Sequence, residues 1–231
     1  MSSVAVNSGF ARTAALYNSI VGKKILMAVS GLVLTGFVLG HMAGNLQIFL
    51  GPERLNAYAR FLQDNMEILW PARIILSISV IVHILMAWQL TVLNNLKSRP
   101  VSYVKKTAIA STYAARTMVW SGPIIALFVV YHILHFTTGS AHPNFHPGEV
   151  YDNVITGFRQ APAAAFYILA NILLGIHLYH GVWSLFQTLG FNHPRYTPWL
   201  KLAAKLYGLV IAAGNCSIPV AVLAGVLTNR V

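Results

Sequence analysis

The chain has 231 residues, of which 56% are hydrophobic and only 9% charged, and its mean hydropathy is +0.63. A water-soluble domain of this composition would expose a large apolar surface, so the composition indicates an integral membrane protein. The net charge of +11 comes from basic residues that flank apolar stretches and carry no nucleic-acid motif, which points to lipid head groups as partners and away from nucleic acid.

The first twenty residues contain a single basic residue, Arg12, and no apolar core ahead of Ile25. They are expected to form a short interfacial helix, with no removed targeting peptide. At about 1.5 Å rise per residue, some 20 apolar residues cross a bilayer. Spans are accordingly predicted at residues 25–49, 72–93, 118–138, 163–186 and 202–227. The connections, at most about two dozen residues long, are too short for a separate soluble domain. The expected fold is therefore all-α, one transmembrane domain over residues 1–231, with the first four of five spans forming a bundle. Cys216, the single cysteine, lies in the last span, which excludes disulfide frameworks and Cys-ligated clusters within the chain. Phosphate loops, nucleotide fingerprints and Ser/His/Asp arrays are absent, so any chemistry must come from a bound cofactor.

Charge sets the expected orientation. Arg12, Lys23 and Lys24 precede the first span; Lys97, Arg99, Lys105, Lys106 and Arg116 fall in the second connection, and Arg195, Lys201 and Lys205 in the fourth. These are eleven of sixteen basic residues, all on one side of a five-span chain. The positive-inside bias makes that side cytoplasmic, with the N-terminus inside and the C-terminus outside. The five acids, Glu53, Asp64, Glu67, Glu149 and Asp152, fall on the other side. Trp70, Trp120, Trp183 and Trp199 lie near span ends, as an aromatic belt does.

Four of the nine histidines sit inside four different spans: His41, His83, His132 and His177. An ionisable side chain within the membrane is costly unless something binds it, so each marks a functional site by default. Zinc needs three or four convergent ligands and a di-iron bundle needs glutamates that these helices lack. Haem iron needs one imidazole from each side, which facing helices supply. Counting from the cytoplasmic ends, His41 and His132 lie roughly 22–24 Å deep, and His83 and His177 roughly 15–18 Å deep. The expectation is two haems, an outer one held by His41 and His132 and an inner one held by His83 and His177.

Small residues one turn away would make room for a porphyrin: Gly44 after His41, Ala87 after His83 and Gly181 after His177. Gly36, Gly40 and Gly44 also read as a helix-packing seam. His135 and His180 each follow a proposed ligand by three residues and could replace it, but with a poorer match in depth. They are instead read as haem surroundings, bonding propionates or a quinone, or as satisfied polar groups. His142, His146 and His193 fall in Pro-containing loops and read as surface residues. Asp64 and Glu67, just outside the second span, are candidates for a proton relay to a quinone. Asn45 and Gln47 could bond a quinone carbonyl. Arg12, Lys23, Lys24 and Arg116 are candidate propionate partners on the inner side.

Gly40-His41-Met42, the run from Phe128 to His132 ending in Tyr-His, and the run His177-Leu-Tyr-His-Gly181-Val-Trp183-Ser184 resemble the di-haem cytochrome b subunit of succinate dehydrogenases and fumarate reductases, of the single-anchor, five-span type. The resemblance runs from the first span to the last. It implies two haem b groups with the axial pairs named above, a quinone substrate such as menaquinone, and iron-sulfur and flavoprotein partner subunits on the cytoplasmic side. It also implies a bacterial inner membrane location and allows a higher oligomer of the complex. The dicarboxylate site would lie in the flavoprotein, because nothing in this chain could oxidise succinate. The other readings are a cytochrome b anchor of a formate dehydrogenase or hydrogenase, and a haem-free transport or structural subunit.

Overall fold

The computed structural model describes residues 15, 17–93 and 113–229. Arg12, Lys97, Arg99, Lys105 and Lys106, together with most of the expected interfacial segment, lie outside them. The described residues form helices joined by turns, with no strand among them. In chain order the helices are α1 (Ile20–Asn45), a 3-10 turn (Leu46–Leu50), α2 (Pro52–Asp64), α3 (Met66–Val92), α4 (Tyr113–Phe136), α5 (Val150–Arg159), α6 (Ala161–Thr188) and α7 (Thr197–Leu223). Five of them, α1, α3, α4, α6 and α7, are long and apolar enough to cross a membrane. The protein is thus an all-α, multi-pass membrane protein.

Each span forms because its backbone polar groups have no water to bond in hydrocarbon and must pair within the helix. The lipid-facing side chains are apolar and outward, such as Leu127 at 68% exposed and Trp88 at 65%. Ser19 starts α1 as its N-cap, accepting the Gly22 N–H at 2.8 Å. Gly51, with φ at 102°, ends the 3-10 turn in a conformation open to glycine, and Pro52 then begins α2 at its first position.

Sequence reasoning treats the connections after the first and third spans as loops, but they contain the amphipathic helices α2 and α5. These pack on each other at one end of the bundle, here the capped end. The Tyr151 N–H of α5 donates to Asn56 Oδ1 of α2 at 3.0 Å, and the Tyr151 hydroxyl donates to the Thr228 carbonyl at 3.2 Å. The largest apolar core lies here, joining Ile48, Leu55, Phe128, Ile155, Tyr167 and Val222 from six elements.

Helix α6 is the hub. It packs on α1, α4, α5 and α7, whereas α3 packs mainly on α1. The closest approach is between α6 and α7, where a Cβ added at Gly175 would stand 2.7 Å from the Gly208 carbonyl oxygen and 2.8 Å from Ala212 Cβ. Small residues drive such contacts because apolar side chains gain nothing by leaving lipid for each other. The fifth span is therefore part of the bundle: Met42 of α1 meets Gly214 of α7, and the Tyr207 hydroxyl donates to the Thr35 carbonyl at 2.7 Å. The expected seam at Gly36 and Gly40 is not one among the described residues, since an added Cβ at either would meet nothing within 4 Å.

Replacing Gly175 or Gly208 by Val is expected to lower stability by about 1–3 kcal/mol, the usual cost of overpacking, whereas Gly36→Ala leaves it unchanged or raises it by up to about 1 kcal/mol through helix propensity. Thermal unfolding in detergent micelles measures both, and equal midpoints for the Gly208 and Gly36 variants would contradict this packing.

Candidate functional site

The four intramembrane histidines meet as two pairs. Near the capped end, His41 of α1 faces His132 of α4, with ring centroids 5.7 Å apart and the rings edge to face. Phe37, one turn before His41, stacks on it at 5.2 Å, while Phe128 and Phe136 flank His132 at 5.8 and 6.0 Å. The His132 Nδ1 lies 3.2 Å from the Tyr167 hydroxyl of α6, leaving its Nε2 unbonded among the described residues. His41 differs, because its Nε2 accepts from the Asn45 amide Nδ2 at 3.1 Å.

The second pair lies deeper toward the other end. His83 of α3 and His177 of α6 have ring centroids 6.3 Å apart. The His83 Nδ1 donates to the Met27 carbonyl at 3.3 Å, with Ser30 Oγ at 3.4 Å. A carbonyl oxygen can only accept, so Nδ1 carries the hydrogen and Nε2 keeps a free lone pair. Gly31 makes room for this ring, since a Cβ there would come within 3.3 Å of His83 Cε1. The His177 Nδ1 faces Ser121 Oγ at 3.5 Å. In both pairs, then, an outer ring nitrogen is held by a neighbouring helix, the arrangement that orients imidazole ligands.

The remaining sequence candidates are distributed differently. His135 is 1% exposed and points away from His41, into the junction of α4, α5 and α6. Its Nδ1 lies 3.2 Å from the same Tyr167 hydroxyl that meets His132. Gly157 of α5 creates its space, because a Cβ there would stand 3.0 Å from the His135 Nε2. That junction explains why α4 carries His135 and Phe136 where the other histidine helices carry a small residue. His142, expected at the surface, packs its ring 5.1 Å from His135 and donates from Nε2 to the Asn153 carbonyl at 2.8 Å. His180 is half-buried on α6 and has no hydrogen-bond partner among the described residues.

Gly44 does not open space for a cofactor. A Cβ at Gly44 would sit 2.7 Å from the Tyr58 ring, so its gap is filled by α2. Gly181 does face open space, with nothing within 4 Å of an added Cβ. Asp64 and Glu67 are exposed at the α2–α3 junction on the capped end and contact neither pair. Gln47 is half-buried in the 3-10 turn. Arg116 and Lys24 are exposed, whereas Lys23 is 6% exposed and lies on the outer side of the α1–α3 contact. Sequence reasoning missed Tyr167, Gly157, Ser30 and Ser121. A serine inside an apolar span was a visible signal for the last two; for Tyr167, ten residues before His177, no pattern in the chain existed.

Two imidazoles bound to one metal from opposite sides at about 2 Å each have ring centroids roughly 6 Å apart. Both pairs stand near that spacing, at 5.7 and 6.3 Å. Two nitrogen donors per centre suit haem iron, whose other four ligands come from the porphyrin. No group of three or more His, Cys, Asp or Glu among the described residues could hold an ion by itself. No family model, curated protein or solved structure matches this chain.

Tyr167→Phe strips the shared hydroxyl from two buried imidazoles and is expected to cost about 1–3 kcal/mol of stability. Tyr131→Phe is the control, since its hydroxyl has no partner among the described residues and only its ring packs on His135. Thermal unfolding of the two variants should separate them, and coincident curves would sink the bridging role.

Proposed function

We propose that this chain is the di-haem cytochrome b anchor of a succinate:quinone oxidoreductase, passing electrons between an iron-sulfur partner subunit and membrane quinone. The observation that carries the reading is the meeting of four histidines from four spans as two pairs, each with the spacing that one axially ligated iron requires. The order of the histidine motifs along the chain, and their resemblance to that family, supports the same reading.

His83 and His177 would hold the haem nearer the cytoplasmic side, and His41 and His132 the outer one. Held by these two histidine pairs, haem would supply one-electron transfer. The chain's own residues do the rest. Met27 and Ser30 fix the tautomer of His83 so that Nε2 keeps its lone pair. Tyr167 can accept from the His132 Nδ1–H and donate to His135 Nδ1, which leaves the His132 Nε2 lone pair for the metal. His41 would hold the group through its Nε2 once Asn45, which donates to that nitrogen here, releases it. The phenylalanines around His41 and His132 keep water from that pair.

The outer leaflet is assigned to the capped end, where all five acids gather. Asp64 and Glu67 there are suited to exchange the protons that quinone chemistry moves, with menaquinone as the expected substrate. The basic flanks at the other end support assigning it to the cytoplasmic face of a bacterial inner membrane, where the iron-sulfur and flavoprotein subunits would dock.

The purified, haem-replete protein should show a sharp b-type α-band in its reduced-minus-oxidised spectrum and two haems per chain. His41→Ala or His132→Ala should each remove one haem, and His83→Ala or His177→Ala the other, while His135→Ala and His180→Ala keep both. Pyridine haemochrome counting reads the result. A protein without a Soret band ends the cytochrome reading, and co-purification with a molybdenum or nickel subunit moves it to another respiratory dehydrogenase.

A further inference from the structure

The outer face of the α1–α3 contact carries a groove that meets the histidine pairs only at Ser30. At its end away from the capped side is a cavity of about 380 Å³ lined by Asn18, Lys23, Trp88, Gln89, Val92 and Leu93. A second cavity of about 170 Å³, on the same two helices, is lined by Leu26, Val29, Ser30, Val33, Ile78, Ser79 and Val82. The two belong to one stripe. Lys23, Leu26, Ser30 and Val33 recur at intervals of three and four along α1, as do Val82, Met86, Gln89 and Leu93 along α3, so each set lies on one helix face. Met86, on the same α3 face, is 3% exposed.

The polar end is unusual in its charge. Lys23 is 6% exposed, yet among the described residues its ammonium meets only the Tyr17 carbonyl at 2.9 Å and the Tyr17 ring at 4.2 Å. All five of the chain's acids fall in α2, α5 and the residues next to them, at the opposite end of the bundle. A buried cation without a counter-charge is costly, so an anion is the ligand that completes it. Gln89 bonds the Tyr17 hydroxyl through its amide nitrogen at 3.0 Å, and its carbonyl oxygen makes no bond among the described residues. Below this polar end the groove is apolar and open outward, with Val29 at 53% and Ile78 at 56% exposed. The stripe continues past Val33 over Gly36 and Gly40, which present no side chain.

A buried positive charge at the head of an apolar, outward-facing groove matches an amphiphile with an anionic head. We propose that this groove binds one anionic phospholipid, its phosphate on Lys23 and an acyl chain along Leu26, Val29 and Val33 against Ile78 and Val82. The site stands on the outer surface of the helix pair and requires no cofactor between the histidines. Anionic lipids populate the cytoplasmic leaflet, the side to which the basic flanks assign this end.

The test is native mass spectrometry of the full-length protein released from detergent. Phosphatidylglycerol, phosphatidylcholine of the same acyl chains, inorganic phosphate and a short-chain naphthoquinone are added in turn. Phosphatidylglycerol should bind at least about fivefold more tightly than phosphatidylcholine, the scale expected for one interfacial lysine. Lys23→Met should abolish that preference and Lys23→Arg keep it, while Val33→Phe, which plugs the groove and leaves the cation in place, should weaken both lipids. Should Lys23→Met fail to assemble, Val33→Phe carries the test. An unchanged preference in Lys23→Met, or unchanged lipid binding in Val33→Phe, overturns the site. Displacement by phosphate alone would reduce it to an anion pocket, and displacement by the naphthoquinone would assign it to quinone; either outcome also overturns the proposal.

Discussion

An imidazole in the middle of an apolar helix brings two nitrogens into a medium that offers them nothing, and this single constraint organises the protein. Each ring must be satisfied from within the bundle, His41 by Asn45 of its own helix and the other three by the helix beside them. His83 reaches back to the Met27 carbonyl and Ser30 of α1, and His132 reaches the Tyr167 hydroxyl of α6. These bonds face the rings in a particular direction. The Nδ1 nitrogens of His83, His132 and His177 meet groups on a neighbouring helix, while the rings stand 5.7 and 6.3 Å from their partner histidines. Pairing and satisfaction are two sides of the same arrangement.

Helix α6 bears most of this load. One face carries His177 toward His83 and Tyr167 toward His132 and His135, while another presents Gly175 for the contact with Gly208 of α7. A helix cannot be drawn to its neighbours by the hydrophobic effect when lipid is as apolar as leucine, so glycine contacts and hydrogen bonds between helices do that work. The fifth span braces α6 and α1 from behind through Gly208, Gly214 and Tyr207, holding the helices that supply His41 and His177.

The two ends of the bundle differ in kind. At one, α2 and α5 form a lid with its own apolar core, sealing the region around His132, His135 and Tyr167. The other end has basic flanks and the buried ammonium of Lys23 above an outward groove. On the proposed reading the capped end is where quinone chemistry meets protons, and the basic end faces both the partner subunits and an anionic leaflet.

Five spans, their order and one histidine in each of the first four were legible in the chain, because hydrocarbon imposes a length and an apolar composition that no tertiary contact can override. The pairs followed as well, since depth along a straight helix is set by residue count. Side-to-side relations were not legible. Gly44 reads as an opening until α2 folds back and places Tyr58 against it, and Gly36 and Gly40 read as a seam although none of the described helices arrives there. His135 sits three residues from His132, yet Gly157 and Tyr167, distant in sequence, turn it into a separate buried site. Lys23 reads as one more basic flank beside Lys24, and only the approach of α3 encloses it. Periodicity and depth are properties of one helix and are written in its residues, whereas which neighbour fills a gap depends on how helices pack, and packing is decided by all of them together.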